Sequence, residues 1–220
     1  MSAPGLDGTS GRTTTPSRQR DGEGILVRRP GRSRGITVNR PVLVLGHGAS
    51  GSAATIAPHV VGLRARGIDA RAVNLTRGRA ERAIPVFAAL LGAERGPGER
   101  PLAVGGHSFG GRVASLAAAE ACDAGRPPLA LVLLSYPLHA PGRPDDWDAR
   151  TDHWPRITCP VLLLSGSSDP FARLALLERA VAERLPVAEL VTYPRLGHGL
   201  APALDDVLDR VAAFLAAVGR

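Results

Sequence analysis

The stretch Gly106-His107-Ser108-Phe109-Gly110 lies directly behind the apolar run Pro101-Leu102-Ala103-Val104 and just ahead of a helix-like segment, Arg112 to Ala121; its reading decides the fold. A serine hydroxyl is a poor nucleophile unless it is held proud of the backbone, next to a base and facing hydrogen-bond donors. A sharp strand-to-helix turn does this. The G-x-S-x-G spacing puts glycines two residues before and two after the serine, where neighbouring backbone must come closer than a Cβ allows. In a chain with 26 glycines the pattern alone can be accidental. The strand before it and the helix after it give it weight.

Outward from this turn, apolar runs of strand length alternate with Ala/Leu/Arg segments of helix length, the βαβ pattern of a parallel sheet. Strands are expected near 41–46, 69–75, 101–106, 129–135, 160–165 and 188–193, and helices near 53–66, 79–93, 109–124, 171–184 and 203–218. Residues 24–29 and 35–39 are expected to form a hairpin at a sheet edge. Residues 137–158, rich in Pro, Asp and His and holding both tryptophans, read as a functional loop, expected to form a short lid.

A serine nucleophile needs a base, and the base needs a partner that fixes its tautomer. Asp169 follows the run Val161-Leu162-Leu163-Leu164 and a Ser-Gly-Ser-Ser turn, which places it at the carboxyl end of a strand. His198 follows the next strand, in Gly197-His198-Gly199. Asp169 also suits a helix cap before Pro170, and a histidine between glycines can be a loop residue without a role. Three such residues in order at three strand ends favour a Ser108–His198–Asp169 triad. Asp145, Asp146, Asp148 and Asp152 are read as solvated, and with His153 they lack the spacing of a metal site. His59 and His139 are read as surface or packing residues.

The turn Gly46-His47-Gly48-Ala49-Ser50-Gly51 follows the strand Val42–Leu45 and could aim the Ala49 N–H, beside that of Phe109, at a developing oxyanion. It also spells G-x-G-x-x-G, a dinucleotide-binding pattern. The acid that should hold a ribose is misplaced, because Asp69 opens its strand and Asn74 lies nearest its end. A Walker A loop is excluded because the chain has no lysine. His47, with Trp147 or Trp154, is the candidate lining of the substrate pocket; the alternative is that both tryptophans only anchor the loop to the body. Neither a metal nor a cofactor is expected.

At 220 residues and 44% hydrophobic content the chain suits one α/β domain. Its net charge of +7 invites a nucleic-acid reading, but residues 1–40 hold eight arginines against three acids, so most of the excess lies in that segment. With no interleaved aromatics to stack bases and no recognised nucleic-acid module, nucleic acid is not an expected partner. Residues 1–23, poor in large aliphatics, are expected to be a disordered basic tail, with the folded domain over 24–220. An organellar transit peptide or a misassigned start would look similar. No run is long enough for a secretory signal or a membrane span, so a cytoplasmic protein is expected. Cys122 and Cys159 are expected to sit reduced in the fold.

With Ser, Asp and His in this order, the chain resembles the α/β-hydrolase superfamily over about residues 24–220. The runs Gly105–Ser115, Leu134–Gly142 and Asp169-Pro170-Phe171 are similar to a small hydrolase-like group that includes testis-expressed protein 30 and a domain of regulatory subunit 3 of the nonspecific-lethal complex. His107 and Phe109 depart from the Arg and Met usual there. The resemblance implies a mostly parallel, doubly wound sheet flanked by helices, without a large cap domain. It implies Ser108 as nucleophile, Asp169 as acid and His198 as base, with no cofactor. The resulting expectation is a serine hydrolase acting on a small ester, thioester or related acyl substrate. The alternative is a hydrolase-like interaction module, since some members of the group act mainly as complex subunits.

Overall fold

In the central apolar runs, successive residues turn to opposite sides, as a strand's two-residue period requires. Leu43 and Leu45 enter one core and Val44 the other; Leu131 and Leu133 enter one, Val132 and Leu134 the other. Strands that are apolar on both faces must be covered on both faces, which is the burial pattern of a parallel sheet under two helical layers. The computed structural model describes residues 41–93 and 99–220. The tail, the domain start at residue 24 and the expected 24–39 hairpin lie outside the described residues.

The six strands are β1 (Val42–Gly46), β2 (Asp69–Val73), β3 (Leu102–His107), β4 (Ala130–Leu134), β5 (Val161–Gly166) and β6 (Ala188–Tyr193), ordered β2-β1-β3-β4-β5-β6 with every pair parallel. The helices are α1 (Ala57–Ala65), α2 (Ile84–Gly92), α3 (Phe109–Asp123), α4 (Trp147–Thr151), α5 (Leu174–Arg184) and α6 (Leu204–Val218). The chain steps from β1 to β2 on one side and returns to β3 on the other, so the strand order reverses between β1 and β3. A crevice opens at the carboxyl ends of strands where the order reverses, and Ser108 and Ala49 both lie there.

Each expected strand forms, while helix starts shift with local chemistry. The expected helix 53–66 opens as a 3-10 turn, Ala53–Ile56, and becomes α-helical at Ala57 with Pro58 in its first turn. Proline fits there because its missing N–H has no intrahelical acceptor to lose. Likewise 79–93 divides into a 3-10 turn, Ala80–Arg82, and α2 with Pro85 in its first turn. The expected loop 137–158 holds α4 and two 3-10 turns, Pro144–Asp146 and Trp154–Arg156, and Trp154 is wholly buried in the core. No cap domain is inserted among the described residues, and none of their helices is long and apolar enough to cross a membrane. Cys122 and Cys159 are free thiols.

Candidate active site

Ser108 occupies a left-handed backbone conformation, φ 53° and ψ −117°, between β3 and α3. For a residue with a Cβ this costs about 1–3 kcal/mol and persists only where the surroundings enforce it. Here they do so through close packing of backbone. A Cβ on Gly110 would sit 2.3 Å from the Gly46 carbonyl oxygen, and one on Gly106 would sit 2.6 Å from that same oxygen. The two glycines therefore let α3 start against the end of β1. The Ser108 N–H donates to the Leu134 carbonyl at 2.8 Å, tying the turn to β4.

The structure brings the three expected residues together. The Ser108 hydroxyl donates to His198 Nε2 at 2.8 Å, and His198 Nδ1–H donates to Asp169, 2.8 Å from Oδ2 and 3.0 Å from Oδ1. The Asp169 side chain is fully buried, and its Oδ1 also accepts the Phe171 N–H at 2.8 Å. This Phe171 contact closes a local turn and is not the helix cap that Pro170 suggests, because α5 begins only at Leu174 with Arg173 at its cap position. The His198 ring lies between two others: Phe171 at 4.5 Å and His107 at 5.2 Å between centroids. His107 Nε2–H also donates to the His198 carbonyl at 3.2 Å, and burial lowers the His107 pKa. On the approach to His198, Arg195 has φ 62°, held by its N–H donating to Ser167 Oγ at 3.0 Å.

Ala49 and Phe109 flank Ser108 on the wall of a cavity of about 530 Å³. Among the described residues neither N–H is taken by a protein acceptor. For Phe109 the reason is its place in the first turn of α3, whose N–H groups have no intrahelical acceptor and whose dipole favours negative charge. Asp69 lies at the far end of β2 from the Gly46–Gly51 turn, paired with Arg71 at 2.9 Å and Arg100 at 2.7 Å. That leaves the glycine pattern without the acid a dinucleotide site needs.

The structure corrects three expected pocket residues. His47 is 2% exposed and is not among the cavity's lining residues: its Nε2 accepts the Leu75 N–H at 3.0 Å and its Nδ1–H donates to the Gly48 carbonyl at 2.8 Å. With both ring nitrogens engaged by backbone, it braces the turn that carries Ala49. Trp154 packs edge-on against Tyr136 at 5.0 Å in the core, where its large apolar area is best buried. Trp147 lies under the guanidinium groups of Arg184 at 4.4 Å and Arg179 at 5.3 Å, on α5. Segment 137–158 reaches the cavity through Pro137 and Arg150 instead, so no tryptophan lid covers Ser108.

Other side chains carried weaker signals. Phe171 reaches both the acid and the base, and its position two residues after Asp169 was the available clue. Arg79, Arg112 and Arg150 line the cavity from three separated segments, which no sequence spacing connects. A second serine–histidine–aspartate contact was missed: Ser115 Oγ lies 2.8 Å from His153 Nε2, and His153 Nδ1 lies 3.4 Å from Asp152. Ser115 and His153 are buried and do not line the cavity, while Asp152 is exposed; burial pushes the His153 pKa down to about 4. His139 is a brace, accepting the Arg173 N–H at 3.0 Å.

A family model described as an alpha/beta hydrolase domain matches residues 76–205, more than half of the chain and all three of Ser108, Asp169 and His198. The chain belongs to the alpha/beta hydrolase family. No curated protein sequence matches it. Solved structures of similar fold include a monoacylglycerol lipase from Paleococcus ferrophilus, 15% identical, with a TM-score of 0.65 over 80% of this chain and 94% of that one. Est1E from Butyrivibrio proteoclasticus is 20% identical, with a TM-score of 0.64 over 81% and 88%. An alpha-beta serine hydrolase homologue from Coxiella burnetii is 16% identical, with a TM-score of 0.62 over 80% and 85%. At these identities the likeness is one of fold.

Proposed function

We propose that this family member is a serine hydrolase that cleaves a small ester, thioester or related acyl compound through an acyl-enzyme. The observation that carries the reading is the unbroken chain from the Ser108 hydroxyl through His198 to the buried Asp169, opening on a cavity whose wall includes Ala49 and Phe109, residues whose N–H groups have no protein acceptor among the described residues. In this reading His198 takes the Ser108 proton as Oγ attacks the acyl carbon. The Ala49 and Phe109 N–H groups hold the resulting oxyanion, and Asp169 stabilises the imidazolium. The imidazolium then protonates the leaving alcohol or thiol as its bond to carbon breaks. Water, deprotonated by His198, releases the acid and restores Ser108. The proposal includes a cytoplasmic setting and no cofactor; the resemblance to the testis-expressed protein 30 group adds no substrate to it.

A fluorophosphonate probe tests this, because an activated serine attacks phosphorus as it does a carbonyl. The expected result is a single adduct at Ser108 that Ser108→Ala removes. A folded protein that takes no label, or takes it elsewhere, returns the chain to the alternative, a hydrolase-shaped interaction module.

A further inference from the structure

The cavity beside Ser108 is walled by three guanidinium groups and one carboxylate. Arg112 comes from the first turn of α3, Arg150 from α4, and Arg79 from the segment before α2; Glu81 is the acid. Their pairing is incomplete. Arg112 Nη2 lies 3.4 Å from Glu81 Oε1, long for a charge-assisted hydrogen bond, and Arg112 Nε is buried without a partner. Arg150 Nη1 donates only to a neutral acceptor, the Pro137 carbonyl at 3.0 Å. Among the described residues no carboxylate lies within ion-pair distance of Arg150 or Arg79, and the nearby Asp146 is paired with Arg143 at 3.0 Å. Burial and the neighbouring Arg112 both lower the Arg150 pKa, as expected of a cation with too little negative charge around it. Arg150 is nonetheless held in place: the Tyr136 hydroxyl donates to its carbonyl at 2.6 Å, and the Tyr136 ring is packed in the core.

Arg112 and Arg150 are half-buried, and like charges so placed on a cavity wall are costly unless something negative completes them, whereas Arg79 is exposed. A planar guanidinium fork matches a carboxylate or a phosphate, and the cavity's size suits a small molecule. We propose that the substrate carries an anionic group, a carboxylate or a phosphate, which Arg112 and Arg150 hold, with Arg79 nearby, while Ser108 attacks its acyl carbon. This rests on the serine-hydrolase reading and narrows it away from purely apolar esters.

Two pairs of esters test it on the full-length chain. The first pair is 4-nitrophenyl hydrogen glutarate against 4-nitrophenyl pentanoate, equal in chain length and differing in a terminal carboxylate. The second is the butyrate ester of 4-hydroxyphenyl phosphate against phenyl butyrate, which moves the charge to the leaving group. The expected result is a preference in kcat/KM for the anionic member of one pair of roughly 10–100-fold, the range of charged hydrogen bonds, and the pair that shows it locates the anion. Arg150→Gln should reduce the ratio between the members, whereas Arg150→Lys should restore part of it. Glutarate, unlike pentanamide, should slow fluorophosphonate labelling of Ser108. Labelling at Ser108 with no anionic preference in either pair and no protection by glutarate overturns the inference and leaves the hydrolase reading standing. Absence of labelling overturns both.

Discussion

Among the described residues, two places set a serine beside a histidine and that histidine beside an aspartate, and they are opposites in nearly every other respect. Ser108 stands at a strand-to-helix turn with positive φ; Ser115 lies seven residues on, inside α3, with its hydroxyl donating to the Arg112 carbonyl one turn back at 2.8 Å. His198 is bound to a fully buried carboxylate at 2.8 Å, whereas His153 is 3.4 Å from Asp152, whose side chain is 72% exposed. Ser108 faces a cavity, and Ser115 is buried. The same three residue types thus give a hydroxyl that opens on a cavity in one place and a packing contact in the other. The backbone makes that difference, since the positive-φ turn holds the Ser108 hydroxyl ahead of its helix while Ser115 lies inside it.

The two aspartates offer the largest test of this contrast. If Asp169 orients His198, Asp169→Asn leaves the protein folded and lowers kcat by about 10⁴-fold, the cost of losing the orienting carboxylate of a triad. The measurement is steady-state turnover of any ester the wild type cleaves, with thermal melting as the control for folding. A loss below tenfold means that the carboxylate at 2.8 Å is a structural acceptor for Phe171 and His198 and does not serve turnover.

Much of the first site was legible in the sequence because strand ends and glycines announce themselves. Gly106 and Gly110 stand where backbone passes within Cβ distance, and Ser108, Asp169 and His198 each follow a run that pairs into one parallel sheet. The second site left no such mark. Ser115 and His153 are 38 positions apart, one within a helix and one in a segment whose polar composition reads as a loop. That segment misled for a physical reason: Trp154 and Tyr136 drive it into the core, and two short 3-10 turns with prolines carry no helical period to reveal it. The cavity's arginines were visible as residues, but their convergence follows only from the packing of α3, α4 and the 79–82 turn.

Acid separates the two sites next. Burial holds both His153 and the half-buried His59 down to about 4, so each ring is neutral in the fold and binds its proton more readily in the unfolded chain. Stability is therefore full above about pH 6.5, falls as pH drops below it, and has lost these contributions near pH 4. Between pH 7 and 5 the loss from His153 is of order 2 kcal/mol. Denaturant unfolding at the two values should show it, and His153→Gln should flatten the dependence, leaving the shares of His59 and of His107, whose pKa burial also lowers. An unchanged slope would mean that His153 is not the buried neutral ring described.

Ser115→Ala probes the packing contact without touching the cavity. It strands His153 Nε2 in the core, which costs about 1–3 kcal/mol of unfolding free energy, while labelling at Ser108 should proceed at the wild-type rate. Faster melting with unchanged labelling separates the two serines by role. Slower labelling together with lower stability would instead couple the contact to Arg112, whose carbonyl Ser115 also engages.

The smallest effect is expected at Asp152, and its smallness is informative. An exposed carboxylate 3.4 Å from a ring nitrogen gains little over water, so Asp152→Asn should change stability by less than about 0.5 kcal/mol and leave turnover unaltered. Set beside Asp169→Asn, this compares the same substitution at the same position of two similar contacts. A carboxylate matters to its histidine when it is desolvated, accepts two hydrogen bonds and lies at close range; Asp169 meets those conditions and Asp152 meets none of them. A stability loss above 1 kcal/mol at Asp152 would show that His153 depends on its acid after all, and the distinction between the two constellations would then rest on Ser108's backbone alone.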